Sequence, residues 1–554
     1  MKRIIVALAA SLALVAIAVA RPVSAQPGAG ASAGAAVFHL VEATVDQIHR
    51  ALQTRLITAE QLVEMYLARI AEYDDAGPAV NAFIHVNATA IDEARAVDAE
   101  RRPGRIRRPL DGVPVALKDI IDTADMPTTG GSLTLVGSTP PNDAFITQKL
   151  RDAGAIILGK LTLTEFANFI AIGMPAGYSS FGLYGFNPYD PRPLPGGDGR
   201  PVLTTGGSSS GSGISVNANL AALAVGTETS GSILSPATAN GVVGIKPTVG
   251  LVSRDGIIPI TADQDTAGPL TRTVADAAVM LGVLAGFDPN DPATAACLTA
   301  GNCLSDYTRY LDKRALKGAR IAVPPFPDNR ADIMNAAIDV MRAQGAYVEL
   351  IAPLAPQLGI CVSLPAPDTC STVLLYGQKR DMNAYLATRP GAPVTSLSDI
   401  IAANNVIPGA LKYGQAIFEA ADMIDLSPGS PDTLRYLADR AEDLARSRGA
   451  LDGVYAGLDG TAGTADDFDA ILLSGNNQAG TAAKAGYPSV SVPGGFVPPT
   501  GEIINPFPSN VTFTGPAFSE ARLIALGYAF EQATRHRVPP ASTPPLASDT
   551  VRRP

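Results

Sequence analysis

Apolar residues recur at helical spacing in the first part of the chain. Leu62, Met65 and Ile70 lie on one face of a helix that begins after Thr58. A threonine followed three residues later by glutamine is the capping-box pattern, in which both side chains bond free backbone amides at the start of a helix. The pattern occurs at Thr44 and again at Thr58. It therefore predicts two capped helices in this region.

Short apolar runs with β-branched residues and flanking Gly or Pro predict buried strands. These runs are "VPVALKDII", "GAIILGKL", "ALAVGTET", "ARIAVPP", "AYVELI" and "DAILLS". Because helical patterns separate them, they predict an α/β fold: one large domain whose mixed, mostly parallel central sheet is covered by helices on both faces. The proline-rich segment 353–459 predicts an irregular region.

The N-terminus has the pattern of a cleaved signal peptide. Lys2 and Arg3 precede an apolar run over 4–20, and a small-residue cleavage site ends at Ala25. A membrane anchor is the alternative, because the run approaches the length that spans a bilayer. The predicted organisation is a signal peptide (1–25), a flexible spacer (26–37), one folded domain (38–540) and a disordered tail (541–554). The mature protein is then periplasmic or secreted, with no membrane contact after cleavage.

The composition narrows the classes of partner. The chain has 554 residues, of which 46% are hydrophobic and 17% charged, as in a globular protein. Its net charge of −10 argues against nucleic acid or an anionic membrane as a partner. The four cysteines lie in two close pairs, which predicts two local disulfides in an oxidising compartment, although three pairings are possible. The pairs are Cys297 with Cys303 and Cys361 with Cys370.

Several kinds of catalytic site are excluded by their missing residues. The four histidines, His39, His49, His85 and His536, lie outside the glycine-rich motifs. No G-x-S-x-G elbow has a convincing histidine partner downstream, no H-E-x-x-H zinc motif occurs, and "GGSSSGSG" lacks the lysine of a phosphate loop. Serine chemistry with a base other than histidine remains, and no metal or cofactor is expected.

Lys118 is the candidate base, because it lies inside the apolar strand "VPVALKDII". Burial lowers the pKa of a lysine, so a buried amine can be neutral and accept a proton. In the alternative, Lys118 ends the strand, extends to solvent and pairs with Asp119, and this short stretch alone favours that alternative. Beyond the strand "ALAVGTET", the turn 229–232 is able to expose several backbone N–H groups, as an oxyanion hole requires.

The run "GGSSSGSGISVNANLAALAVGTETSGSILSPATANGVVGIKPTVGLVSRDGIIP" resembles the signature of the amidase signature family of serine hydrolases. "LDGVPVALKDI" and "GAIILGKLTLTEFA" upstream and "DQDTAGPLTRTVADAA" downstream match the family in the same order, so the likeness covers residues 44–535. Within the family, the residues of this run are most similar to those of bacterial peptide amidases, which remove a C-terminal amide from peptides. The resemblance implies an amidase without cofactor or metal, a monomer or homodimer that acts on a peptide or small-molecule amide.

The resemblance also implies a Ser–cis-Ser–Lys triad. It makes Ser232 the nucleophile, Ser208 the bridging serine after a cis peptide bond, and Lys118 the base. The N–H groups of four consecutive residues form the oxyanion hole: Thr229, Ser230, Gly231 and Ser232.

Neighbouring residues receive supporting roles by the same resemblance. Ser209 is expected to support the triad by hydrogen bonding, whereas Ser210 and Ser212 cap the following helix. Asp265 and Asp276 are expected to be structural. Ser230 replaces a glycine that many members have, so its side chain must face away from the substrate or towards it.

Other substrates and functions remain open. Aryl amides, short amide oligomers and esters suit the same triad. An amidotransferase A-like subunit is a second possibility, which the signal peptide disfavours, and a non-catalytic exported binding protein is a third, which the intact triad disfavours. Residues 170–190 and 474–495 are expected to line the substrate pocket.

Overall fold

The computed structural model describes residues 36–101 and 106–553. The predicted signal peptide and most of the predicted spacer lie outside these residues. None of the helices within the two ranges combines the length and the apolarity needed to span a bilayer.

The strands in the described residues are β1 (Ala36–His39), β2 (Phe83–Val86), β3 (Pro114–Lys118), β4 (Ile156–Leu161), β5 (Tyr178–Ser179), β6 (Leu183–Tyr184), β7 (Leu223–Glu228), β8 (Val243–Lys246), β9 (Thr266–Thr271), β10 (Arg320–Val323), β11 (Tyr347–Leu350), β12 (Gly359–Ile360), β13 (Cys370–Ser371), β14 (Ala470–Ser474), β15 (Ser489–Val497), β16 (Phe507–Thr514) and β17 (Thr550–Arg553). All six strands that the apolar runs predict are present.

The α-helices in the same ranges are α1 (Val45–Gln53), α2 (Ala59–Arg69), α3 (Ala90–Glu100), α4 (Phe145–Asp152), α5 (Glu165–Asn168), α6 (Ser210–Asn217), α7 (Leu234–Asn240), α8 (Val274–Leu284), α9 (Ala295–Thr299), α10 (Ala331–Ala343), α11 (Val373–Ala387), α12 (Leu397–Val406), α13 (Ala416–Asp422), α14 (Pro431–Tyr455), α15 (Ala479–Ala485) and α16 (Glu520–Thr534). The capping boxes predicted at Thr44 and Thr58 are confirmed at the starts of α1 and α2.

A mixed sheet of 11 strands forms the centre of the described domain, in the order β11-β10-β14-β16-β15-β8-β9-β7-β3-β4-β2. Only four neighbouring pairs are parallel: β10 with β11 and β14, and β3 with β4 and β7. The expectation of a mostly parallel sheet is therefore wrong. The middle strands are antiparallel because β15 and β16 follow each other through a short connection, whereas parallel neighbours need a long crossover.

Helices cover both faces of this sheet, as the alternation of strands and helices predicts. A Cβ at Gly244 of β8 would lie 2.8 Å from Ala237 of α7. On the neighbouring strand β15, Val490 and Val492 face the opposite side, where a Cβ at Gly527 of α16 would lie 3.2 and 3.1 Å from them. The strands between the two helix layers are consequently buried on both faces.

The segment 353–459 is not irregular, because it contains the four helices α11 to α14. The prolines between 353 and 367 lie in a connecting stretch before α11, whereas the later ones, such as Pro408 and Pro431, stand near helix boundaries. Pro431 occupies the first turn of the 25-residue helix α14, where a missing N–H costs no hydrogen bond. Ser430 caps that helix by accepting from the Thr433 N–H at 3.1 Å. Proline content alone therefore misrepresented a helical region.

The C-terminal segment 541–553 is folded, and the expectation of a disordered tail is wrong. Strand β17 pairs antiparallel with β1, which also includes residues 36 and 37 of the predicted spacer. Asp549 accepts a hydrogen bond from Arg69 at 2.6 Å, and both side chains are buried. Composition did not reveal this contact because the two residues are 480 positions apart.

Both predicted disulfides are confirmed: Cys297 is bonded to Cys303, and Cys361 to Cys370. Each bond closes a short loop outside the central sheet. The parallel strands β3 and β7 end beside each other, and the two segments rich in Gly and Ser, residues 206–213 and 229–232, lie at this edge of the sheet. The candidate site is built there.

Candidate active site

Lys118 is the last residue of β3 and is fully buried. Its Nζ donates to Ser208 Oγ at 2.7 Å and to Thr227 Oγ1 at 2.9 Å. The alternative in which Lys118 extends to solvent and pairs with Asp119 is wrong. Successive side chains of a strand point to opposite faces, and Asp119 is instead paired with Lys160 at 3.3 Å.

Burial sets the protonation state of this amine. It lowers the pKa of Lys118 to about 7, while the charges of Asp265 and Glu228 act in the opposite direction. About half of the Lys118 amine is then neutral at pH 7, and the neutral share rises at higher pH. The neutral amine has a lone pair that can accept a proton. Thr227 is a partner that the sequence reasoning did not identify. The signal for it was its place near the end of β7, the strand parallel to β3.

The segment Gly206–Gly213 is densely packed and is not a flexible linker. The peptide bond between Gly207 and Ser208 is cis, as the resemblance implies. Gly206 has a φ of 66°, and a Cβ there would lie 2.6 Å from the backbone of Pro236. A Cβ at Gly207 would lie 2.6 Å from Thr164 Oγ1. Side chains are excluded at both positions because other parts of the chain pack directly on the backbone.

The serines that follow Ser208 bond to the backbone. Ser209 Oγ donates to the Thr227 carbonyl at 3.0 Å and accepts from the Thr227 N–H at 3.1 Å, which joins the segment to β7. Ser210 Oγ donates to the Gly206 carbonyl at 2.7 Å, and Ser212 Oγ donates to the Val225 carbonyl at 3.1 Å. The expectation that Ser210 and Ser212 cap α6 is therefore wrong, because their hydroxyls bond carbonyl groups instead.

The turn Thr229–Ser232, which the resemblance makes the oxyanion hole and which we call the oxyanion turn, lies between β7 and α7. It contacts the first serine segment, since the Ser209 N–H donates to the Ser232 carbonyl at 3.3 Å. Ser232 retains 9% exposure and Ser208 none, so Ser232 is the serine that a substrate can reach. The Ser232 hydroxyl makes no hydrogen bond with any described residue. The hydrogen bond from Ser232 to Ser208 that a proton relay needs is therefore not formed in this structure.

Backbone donors of the oxyanion turn remain available. The N–H groups of Thr229, Ser230 and Ser232 donate to no acceptor in the described part of the chain. The Gly231 N–H instead faces the Glu228 carboxyl. Burial raises the pKa of this carboxyl, and the Gly231 N–H lowers it. Gly231 has a φ of 91°, in the left-handed region that favours glycine.

Three polar side chains hold the oxyanion turn in place: buried Glu228 and Gln264, and half-buried Asp265. Glu228 accepts from the N–H groups of Ile233 and Leu234 at 2.8 and 3.0 Å. Gln264 Nε2 donates to the Thr229 carbonyl at 3.1 Å, and the Thr229 hydroxyl donates to Asp265.

Asp265 was expected to be structural, and it also accepts from the N–H groups of Ile260 and Thr261 at 2.9 and 3.0 Å. Burial raises the pKa of this carboxyl to about 7. Asp276 lies elsewhere and accepts from the Val45 N–H at 2.9 Å. The sequence reasoning did not identify Glu228 and Gln264, although both lie within the motifs that it used.

Two cavities border the oxyanion turn. The Asp265 cavity, about 330 Å³, includes Thr227, Thr229 and Asp265 in its lining. The Arg330 cavity, about 500 Å³, includes Ser230, Gly231, Arg330 and the segment 474–480. Part of the expected pocket segment 474–495 thus lines a cavity at the turn, whereas the segment 170–190 lines neither. Ser230, which stands where many members of the family have glycine, lies in the wall of the Arg330 cavity.

The chain is similar in sequence and in structure to several known proteins. A family model described as Amidase matches residues 61–364. A probable amidase of Arabidopsis thaliana is 37% identical over 516 residues, which cover 91% of this chain and 92% of that protein. A glutamyl-tRNA(Gln) amidotransferase subunit from Desulforudis audaxviator is 32% identical, over 92% of this chain and 99% of that one. The crystal structure of native peptide amidase from Stenotrophomonas maltophilia superimposes with a TM-score of 0.78 at 38% identity, over 91% of this chain and 99% of that chain.

Proposed function

The chain belongs to the amidase signature family of amide-hydrolysing enzymes, and on that premise we propose that it cleaves amides through an acyl-enzyme formed on Ser232. The observation that carries the proposal is the 2.7 Å hydrogen bond between the buried amine of Lys118 and the hydroxyl of Ser208. A lysine whose pKa is lowered to about 7 by burial has the protonation behaviour that a general base needs.

The proposed reaction begins with proton transfer along the triad. Neutral Lys118 takes the proton of Ser208, and Ser208 takes the proton of Ser232 as the Ser232 oxygen attacks the amide carbonyl carbon. The step requires the Ser232 hydroxyl to turn towards Ser208 when substrate binds. Free N–H groups of the oxyanion turn then donate to the negatively charged oxygen of the tetrahedral intermediate.

The second half of the reaction returns the protons. Lys118 and Ser208 deliver a proton to the leaving nitrogen, the C–N bond breaks, and ammonia departs from a primary amide. Water then attacks the ester carbonyl of the acyl-Ser232, with the same relay accepting its proton, and the carboxylic acid is released. Ser209 supports this arrangement, because its two hydrogen bonds to Thr227 position the serine segment against β7.

We further propose that the substrates are primary carboxamides, above all C-terminally amidated peptides. The likeness to a peptide amidase at 38% identity over nearly the whole chain supports this class. Aryl amides, short amide oligomers and esters are the alternatives within the same chemistry. The likeness to amidotransferase subunits makes ammonia production from glutamine a further alternative. The two disulfides fit an oxidising compartment, which supports a periplasmic or secreted location.

An ammonia-release assay tests the proposal. Wild-type protein is incubated with amidated dipeptides, simple aliphatic amides, an aryl amide and free glutamine, beside the Ser232→Ala variant. We expect release from amidated peptides and a loss of at least about 10⁴-fold in the variant, because the nucleophile is absent. Fluorophosphonate should label Ser232 in the wild type and nothing at that position in the variant. A wild type that releases no ammonia from any primary amide contradicts the substrate class, and an unlabelled Ser232 contradicts the mechanism.

A further inference from the structure

The two cavities at the oxyanion turn have opposite electrostatic character. The Asp265 cavity is lined by Asp255, Asp265 and Asp381, and its own arginine, Arg254, is already paired with an aspartate. Among the described residues, no carboxylate lines the Arg330 cavity, and Arg330 is the one charged residue in its lining. In a chain with a net charge of −10, a cavity whose single charge is positive favours a negatively charged ligand.

Arg330 has no ion-pair partner within the ranges that the structure describes. Its Nη1 donates to the Asn329 carbonyl at 2.9 Å, and its guanidinium lies 5.7 Å from the centroid of the Phe507 ring. The remaining N–H groups of the guanidinium are free to donate. Arg330 is also the N-terminal flanking residue of the 13-residue helix α10, whose positive dipole end adds to the same charge.

The cavity wall lies directly against the oxyanion turn. A Cβ at Gly480 would be 3.3 Å from Ser230 Oγ, and a Cβ at Gly231 would be 3.9 Å from Asn476 Nδ2. The neutral amide side chains of Asn476, Asn477 and Gln478 complete this part of the lining. A substrate whose carbonyl oxygen is held by the turn therefore has neutral polar groups beside its chain, and a guanidinium in the same cavity.

We propose that the Arg330 cavity receives the acyl part of the substrate and selects acyl groups that carry a carboxylate. The preferred substrates are amidated peptides with an acidic residue near the amide. The inference rests on the proposed function, because it concerns the acyl side of the same reaction. A planar guanidinium with free N–H groups binds a carboxylate through two parallel hydrogen bonds, which neutral amide groups cannot match. A volume of about 500 Å³ lies within the range of small-ligand sites.

Two substrates that differ in one side chain test the selection. N-acetyl-glutamyl-alaninamide carries the carboxylate, and N-acetyl-norvalyl-alaninamide has an uncharged side chain with no second amide that could release ammonia. We expect the wild type to have about tenfold higher kcat/KM for the glutamyl substrate. In Arg330→Gln the ratio of the two kcat/KM values should fall to about one, while kcat/KM for the norvalyl substrate stays measurable. In the wild type the preference should shrink as NaCl is raised to about 0.5 M, because salt screens the charge pair.

The controls separate the possible failures. Arg314→Gln removes an arginine that is almost fully exposed outside the cavity, and it should keep the full preference. Activity towards the norvalyl substrate shows that Arg330→Gln is folded. Equal wild-type rates for the two substrates, or a preference that survives in Arg330→Gln, overturns the inference. If the wild type releases no ammonia from either substrate or from any other primary amide, that result contradicts the proposed function and not this inference.

Discussion

Two buried lysines at the ends of neighbouring parallel strands differ in their partners. Lys118 ends β3 and Lys160 lies near the end of β4, in a register that pairs Lys118 with Leu161 and Leu117 with Lys160. Both amines are fully buried, and burial lowers the pKa of each. Lys160 lies 3.3 Å from Asp119 and donates to Thr128 Oγ1 at 2.8 Å. The Lys118 amine, among the described residues, donates only to the hydroxyls of Ser208 and Thr227.

The difference shows that burial alone does not make a lysine a base. Next to Lys160, the charges of Asp119 and Asp122 oppose the effect of burial on the pKa and favour the ammonium form. The two hydroxyls next to Lys118 are neutral and can serve a neutral amine as both donor and acceptor. Lys160 therefore has a direct carboxylate partner that stabilises its ammonium form, whereas Lys118 has only hydroxyl partners among the described residues and is the candidate base.

Replacement of Lys118 should have the largest effect on activity. We expect Lys118→Met to lower kcat/KM by about 10³-fold, because a general base contributes up to about 10⁴-fold. The midpoint of urea unfolding should stay the same or rise, because an apolar side chain replaces a buried polar group that has no ionic partner among the described residues. Ammonia release and urea denaturation measure the two quantities. A variant that keeps a tenth of wild-type activity would show that Lys118 is not the base.

Replacement of Lys160 should act on stability. We expect Lys160→Met to lower the free energy of unfolding by about 3–5 kcal/mol, because it leaves Asp119 buried without its partner. The kcat/KM of the folded variant should stay within about threefold of wild type. The double variant Lys160→Met/Asp119→Asn should recover part of the stability, since no buried charge then remains unpaired. An unstable protein that is also inactive when folded would remove the distinction between the two lysines.

The pH dependence of activity gives the smallest and most specific effect. Protonated Lys118 cannot accept a proton, so kcat/KM should fall about tenfold per pH unit below a pKa of about 7 and level off above it. Asp265 is a second group with a pKa of about 7, raised by burial. Asp265→Asn should therefore keep the inflection if Lys118 causes it. An inflection that vanishes in Asp265→Asn would assign the titration to the carboxyl.

Much of the local structure was predictable because it depends on residues close in sequence. The capping boxes at Thr44 and Thr58 use contacts three residues apart, and the predicted strands follow from short apolar runs. The disulfides close loops of 6 and 9 residues. The segment 353–459 was mispredicted because composition was weighed above position: a proline at the start of a helix is compatible with the helix.

The sequence by itself determined the six predicted strands, the two capped helices, the family and the residues expected to react, because those depend on short motifs and their spacing. Only the tertiary structure decided that Lys118 contacts Ser208 and Thr227, whereas Asp119 pairs with Lys160. It also decided that the C-terminus closes on β1 and that Arg330 enters the cavity beside Ser230. These contacts join residues up to hundreds of positions apart. The protonation state of a lysine depends on the burial and the neighbours that such contacts provide, so spacing along the chain does not reveal it.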